Sequence, residues 1–253
     1  EHLSKTRFDS LGLDESIMRG IVDAGFAQCT PIQAATLPVA LQGRDIAGQA
    51  QTGTGKTAAF VIATFHHLLK FPPEPTRNPN DPRAVMLAPT RELAIQIHHD
   101  AEILGKYTGL KLSLVYGGTG YESQRQQLER GTDILIGTPG RLIDYHKQHV
   151  FGLKAVQVVV LDEADRMFDL GFIKDIRFLL RRMPKPDQRL GLLFSATLSF
   201  RVTELAYEHM NNPEAVRIEP DKVTVDTVTQ RCFMTSNEDK IRLLIGLLRH
   251  MDP

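Results

Sequence analysis

The sequence predicts an α/β fold in which a parallel β-sheet is sandwiched between helices. Short, almost wholly apolar runs recur at residues 84–88, 134–136, 156–161 and 190–194, and each leads through a turn into a segment of helical spacing. The conspicuous polar residues gather directly after those runs, where open parallel sheets carry their ligands. At 253 residues and 42% hydrophobic content, the chain can bury one large core. Its formal net charge is zero, so a polyanion has to be held by a local groove rather than by a generally basic surface. No apolar run reaches the roughly eighteen residues of a membrane span, and no charged-then-apolar leader opens the chain. A cytoplasmic protein with no membrane contact is the expectation. Cys29 and Cys232 offer neither a disulfide framework nor a paired-cysteine metal site, and both read as small apolar fillers.

In chain order, Ile17, Ile21, Val22 and Phe26 recur at helical spacing after Asp14, which suits an N-cap. Thr30 followed by Pro31 marks a second helix start. Gln33 is not explained by that cap, and its amide, with one donor and one acceptor side, matches the two-sided edge of an adenine. The short run Ile46–Ala47 then leads into Ala50 Gln51 Thr52 Gly53 Thr54 Gly55 Lys56 Thr57. Gly53 and Gly55 let the backbone turn its N–H groups inward, Lys56 supplies a cation, and Thr57 places a hydroxyl on the first helical turn. Together they suit a nucleoside triphosphate with magnesium, although the general phosphate-loop pattern has glycine where this chain has Ala50.

The helix after Lys56 runs to about Leu69, and the proline-rich residues 71–82 form an exposed connection. The strand at Ala84–Ala88 delivers Thr90 and Arg91 to the rim, with Glu92 on the helix first turn. A strand at Lys111–Val115 ends in Gly117 and Gly118, and the next, Ile134–Ile136, ends in Thr138, Pro139, Gly140 and Arg141. Glycines admit a close backbone, while hydroxyls and arginines meet phosphates. Three such turns in a row, without aromatic platforms, suggest a single nucleic-acid strand held by its sugar-phosphate track; three unrelated helix caps are the alternative.

The most apolar run, Val156–Leu161, ends in Asp162 Glu163 Ala164 Asp165. Asp162 suits magnesium, and Glu163 suits the attacking water of phosphoryl transfer. A helix over about 172–183 follows, with Arg181 and Arg182 facing solvent. The run Leu190–Phe194 ends in Ser195 Ala196 Thr197, whose hydroxyls can bond Asp165 across two strand ends. A helix to about Met210 and a strand at Ala215–Ile218 close the domain. Residues 223–234 read as extended chain, and 240–248 read as a new helix. The division expected is one domain over 1–220, then a linker and the start of a truncated second unit over 221–253.

The ordered set Phe8, Gly25–Gln33, Ala50–Thr57, Pro89–Leu93, Gly117 with Gly118, Thr138–Arg141, Asp162–Asp165 and Ser195–Thr197 resembles the DEAD-box ATP-dependent RNA helicases. Ala50 is that family's usual residue, whereas Cys29 stands where it more often has proline. The resemblance implies a RecA-like first domain with a phosphate loop and an N-terminal Q motif. It implies ATP and Mg2+, with Thr30 and Gln33 on adenine, Phe8 or Phe26 stacked on the base, Gln51–Gly55 with Lys56 and Thr57 around the phosphates, and Thr57 with Asp162 at the metal. Lys56, Asp162 and Glu163 are the catalytic set so implied; Asp165, Ser195 and Thr197 couple hydrolysis to strand separation. RNA falls to Thr90, Arg91, Gly117, Gly118, Thr138 and Arg141. The segments between the motifs are similar to a Gram-negative bacterial subgroup, which implies RNase E and the RNA degradosome as partners. The family's second RecA-like domain, with the arginines that complete the ATP site, is missing from this sequence.

Overall fold

The computed structural model describes residues 3–118, 120–218 and 232–250, and the chain divides into two compact units, 1–219 and 220–253. The first unit holds seven parallel strands in the order β3-β4-β2-β5-β6-β1-β7. They are β1 (Ile46–Gln49), β2 (Ala84–Leu87), β3 (Leu112–Val115), β4 (Ile134–Gly137), β5 (Val158–Leu161), β6 (Leu190–Ser195) and β7 (Glu214–Arg217). The four central strands β4, β2, β5 and β6 are buried along their whole length, as expected of parallel strands covered on both faces, and the edge strands are not.

Alternate strand residues feed two separate cores. Met86, Ile136, Val160 and Leu192 pack under α1 (Glu15–Asp23), α2 (Pro31–Ala40), α3 (Lys56–Lys70) and α4 (Arg91–Leu104). Val85, Leu135, Val159 and Leu193 face α5 (Tyr121–Glu129), α6 (Pro139–Lys147), α7 (Ala164–Asp169), α8 (Ile173–Leu180) and α9 (Phe200–His209). This period of two, carried through every central strand, makes the sandwich.

Helix starts follow local chemistry. Asp14 accepts the Ser16 N–H at 2.8 Å, Thr90 accepts that of Leu93 at 3.3 Å, and Ser199 accepts that of Val202 at 3.4 Å. The helix expected over about 172–183 is α8, but α7, only six residues long, precedes it and is too short to show a period. Phe26 lies beyond the end of α1 and is 44% exposed. Arg182 is not free in solvent: its guanidinium lies 3.4 Å from the Phe178 ring centre and donates to Phe178 O at 2.9 Å. Of the two cysteines, Cys29 is a buried filler as expected, while Cys232 is exposed.

In the second unit, the described residues form α10 (Lys240–His250) after irregular chain at 232–236. Most of the extended chain expected over 223–234 lies outside the described residues.

Candidate nucleotide site and rim strip

The strand order divides the carboxyl-end rim into two halves. Neighbouring strands β5, β6 and β1 end in Asp162, Ser195 and the glycine-rich loop Ala50–Gly55, while β2, β4 and β3 end in the three glycine, threonine and arginine turns.

In the first half, Gly53 and Gly55 have φ of 81° and 89°, left-handed values that glycine adopts without penalty. Gly55 precedes α3 and has a second reason to lack a side chain: a Cβ there would stand 2.5 Å from Gln33 Nε2. Gln33, 4% exposed, binds the loop to the start of α2. Its Oε1 accepts the Thr30 N–H at 2.8 Å, and its Nε2 donates to Gly55 O at 3.0 Å. The adjoining Thr30 hydroxyl is buried and has no partner among the described residues. Phe8 and Phe26 stack at 6.5 Å between centroids, but Phe8 is 1% exposed, so only Phe26 offers a face to a base.

Lys56, 7% exposed, reaches back to Ala50 O at 2.6 Å, and Thr54 Oγ1 closes the loop by donating to Gln51 O at 2.7 Å. Thr57 is half-buried on the first turn of α3, and Gln51 and Thr52 are exposed at the loop tip. Burial lowers the Lys56 pKa, and the charges of Asp162, Glu163 and Asp165 work against that. Asp162 is 3% exposed, and burial pushes its carboxyl up to about 7 even though Lys56 pulls it down. It receives the Glu163 N–H at 2.9 Å. A buried carboxyl left this short of positive charge fits a divalent cation, and the orphaned Thr30 hydroxyl beside an inward-turned loop fits a nucleotide.

Glu163 caps α7 at φ 51° and ψ 51°, a left-handed conformation that costs a residue with a Cβ on the order of 1–2 kcal/mol. Its Oε2 is held by Arg166 Nη1 at 3.2 Å. Sequence reasoning did not single out Arg166; its position three residues on, one helical turn away, was the available signal. Asp165 makes the bridge expected between strand ends. Its Oδ2 accepts both the N–H and the hydroxyl of Thr197 at 3.0 Å, and its own N–H donates to Ser195 Oγ at 3.2 Å. Burial raises the Asp165 pKa, but the bonds with Ser195 and Thr197 outweigh it and leave the carboxyl below its ordinary range.

In the second half, Thr90 caps α4 and Arg91 is exposed beside it. Gly117 and Gly118 are exposed, with φ 103° at Gly118. Thr138 precedes α6, with Pro139 at the first helical position, and its own N–H is spent on Val115 O at 3.2 Å. Three tyrosine rings pack against the two arginines of this half. The Arg91 guanidinium lies 4.7 Å from the Tyr116 ring centre, and that of Arg141 lies 4.9 Å from Tyr121 and 5.5 Å from Tyr145. No residue-type pattern in the sequence marks these tyrosines.

The rim of one parallel sheet thus carries a glycine-rich loop ending in Lys56, the adjacent acids Asp162 and Glu163, and a strip bearing Arg91 and Arg141. Residues 30–205 match the DEAD/DEAH box helicase pattern, and the chain belongs to that family. It is 58% identical over 252 residues to the ATP-dependent RNA helicase RhlB of Pseudoalteromonas atlantica and 60% identical over 252 to that of Erwinia tasmaniensis. Each alignment covers 100% of this chain and 59% of the relative, so the chain spans about three-fifths of the length of these curated relatives. A solved structure described as a hypothetical ATP-dependent RNA helicase from Sulfolobus tokodaii superposes with a TM-score of 0.71 at 33% identity, covering 81% of this chain and 57% of that one.

Proposed function

We propose that this chain is the ATP-binding part of an ATP-dependent RNA helicase. Residues 1–220 hold ATP and magnesium on one half of the rim and the RNA sugar-phosphate track on the other. Residues 221–253 are a linker and the start of a second RecA-like domain. The observation that carries this reading is the Asp165 bridge to Ser195 and Thr197, beside Asp162 and Lys56: an acid cluster hydrogen-bonded across two strand ends. The names of the RhlB relatives support it.

In this reading, the backbone of Gln51–Gly55 and Lys56 receive the phosphates, and Thr57 and Asp162 hold the metal. Magnesium, when bound, neutralises phosphate charge. Glu163 orients and polarises the attacking water, with its carboxylate aimed by Arg166 and by its left-handed backbone. Phe26 stacks on adenine, the free Thr30 hydroxyl bonds it, and Gln33 reads it by redirecting the amide that now grips Gly55. Thr90, Arg91, Gly117, Gly118, Thr138 and Arg141 grip RNA phosphates, and the Asp165 bridge reports hydrolysis to them. Without the arginines of a second domain, phosphoryl transfer loses on the order of a thousandfold in rate, so residues 1–253 alone bind nucleotide weakly and unwind nothing. RNase E, the RNA degradosome and a cytoplasmic place of work extend the same proposal.

The test is ATP hydrolysis by the full-length protein with RNA, with DNA and with neither, repeated with GTP. RNA-stimulated, adenine-selective turnover is expected. Equal stimulation by DNA overturns the RNA assignment, equal use of GTP overturns the Gln33 assignment, and turnover indifferent to nucleic acid overturns the whole reading.

A further inference from the structure

One side chain joins the three turns of the basic strip. Gln124, on α5 and 8% exposed, accepts the Tyr116 N–H at 3.0 Å and donates to Tyr116 O at 3.3 Å. It therefore pairs with both backbone groups of the residue that opens the Gly117–Gly118 turn. β3 is the edge of the sheet, and the Gln124 amide stands where a further strand would pair. The same Oε1 lies 3.4 Å from Arg141 Nη1, which is also 3.4 Å from Tyr145 Oη; that hydroxyl donates to Tyr121 O at 2.6 Å. The Tyr116 ring, whose backbone Gln124 holds, carries Arg91. Arg91, the glycine turn and Arg141 are thus tied to one buried amide across the ends of three strands.

We infer that Gln124 is a positioning residue for RNA binding, which fixes the spacing of these three turns along the strand they grip. The inference rests on the RNA reading of the strip. Being buried, Gln124 acts through Tyr116 and Arg141. An arginine already held between two tyrosines and an amide gives up little rotamer freedom when it meets a phosphate, and a glycine turn held at its first residue keeps its N–H groups aimed.

The test measures the affinity of full-length protein, loaded with a non-hydrolysable ATP analogue, for a single-stranded oligouridylate across a salt series. Arg141→Ala is expected to weaken binding roughly tenfold and to lower the salt slope by about 0.7, the share of one phosphate contact on a single strand. Gln124→Leu is expected to lose about fivefold, and the double variant to lose clearly less than the product of the two single losses, because the share of Gln124 that acts through Arg141 is already gone. ATP affinity stays at the wild-type value in Gln124→Leu. Gln127→Leu, on the same helix but only 3.5 Å from Leu112 O, leaves RNA binding unchanged. Tyr145→Phe keeps the ring and removes the hydroxyl under Arg141; it is expected to lose about threefold, without adding to Arg141→Ala, and serves if Gln124→Leu does not fold. Full RNA affinity in Arg141→Ala overturns the RNA reading itself. Weakened Arg141→Ala beside intact Gln124→Leu, additive losses, or a parallel loss of ATP affinity overturns the positioning role alone.

Discussion

Both ends of the sheet bury charge, and they close it in different ways. At the amino ends, Asp45, 4% exposed before β1, takes the N–H groups of Gly191 at 2.9 Å and Asn211 at 2.7 Å. Arg83, 3% exposed before β2, donates to Leu68 O at 2.6 Å, to Gln157 Oε1 at 3.1 Å and to Phe71 O. Arg189, before β6, donates to Leu180 O and His209 O, both at 3.2 Å. The exception there is Arg189 Nε; His209 Nε2 lies 3.4 Å from Glu208 Oε1, and His209 lines a cavity of about 10 Å³, the size of one water. At the carboxyl ends, Asp162 is buried with its pKa driven up, the Thr30 hydroxyl has no partner, and Glu163 is held in a costly backbone conformation. The amino end spends its polar groups on the protein's own backbone and thereby on stability. The carboxyl end leaves the Thr30 hydroxyl and the Glu163 strain uncompensated, which the proposed function assigns to a ligand.

The comparison can be broken in order of expected effect. Glu163→Gln in the full-length protein is expected to cut RNA-stimulated ATP turnover by about a thousandfold while ATP affinity stays within about twofold, because the amide fills the same space but no longer polarises water. Steady-state hydrolysis and nucleotide titration check this; surviving turnover removes Glu163 from its role. Asp45→Ala strands two buried backbone N–H groups and is expected to cost about 3 kcal/mol in urea unfolding, with turnover per folded molecule unchanged. If Asp45→Ala instead impairs catalysis at full stability, the division between the two ends fails. Glu163→Gly sharpens the contrast. Glycine accepts φ 51° freely, so stability is expected to rise by about 1 kcal/mol while turnover disappears. A drop in stability would show that the Arg166 ion pair outweighs the backbone strain.

The same contrast governs what was legible in the sequence. The strands were legible because a buried parallel strand must be apolar throughout, and Val158–Leu161 and Leu190–Ser195 are nearly so. The loop before α3 was legible because its residues are contiguous: Gly53, Gly55, Lys56 and Thr57 stand together, and the two glycines hold the left-handed backbone that the turn requires. Asp45, Arg83, Arg189 and Gln124 were not legible, because their partners are mostly backbone atoms. Asp45 meets Gly191 and Asn211 across separations of 146 and 166 residues, and no residue-type pattern records a backbone N–H. The left-handed Glu163 was hidden for the opposite reason, since its residue type argues against the conformation it holds. Phe8, the alternative to Phe26 as the ring on adenine, is indistinguishable from it in sequence, and only burial separates them. The tyrosines under Arg91 and Arg141 escaped notice because they sit just after β3, on α5 and on α6, and converge only when the rim assembles.

The smallest expected effect tests whether the amino end is as closed as its geometry implies. His67, near the end of α3, packs against Phe71 at 4.8 Å between ring centres, and burial, followed by the charges of His66, Arg83 and Lys70, lowers its pKa to about 4. A histidine held neutral in the fold takes up its proton more readily when unfolded. The folded pKa lies below the unfolded value near 6.5, so stability is complete above pH 7 and falls as pH drops through 6.5 towards 4. Allowing for partial exposure of the ring, His67 contributes about 0.5 kcal/mol of loss between pH 7 and pH 6. His67→Phe keeps the aromatic contact and is expected to remove that share of the slope in urea unfolding at the two pH values. His66, His98, His146 and His209, whose pKa values burial also lowers, continue to supply the rest. An unchanged slope would mean that His67 takes up its proton as readily in the fold as in the unfolded chain despite the charge of Arg83, and that the amino end is more open than its geometry implies.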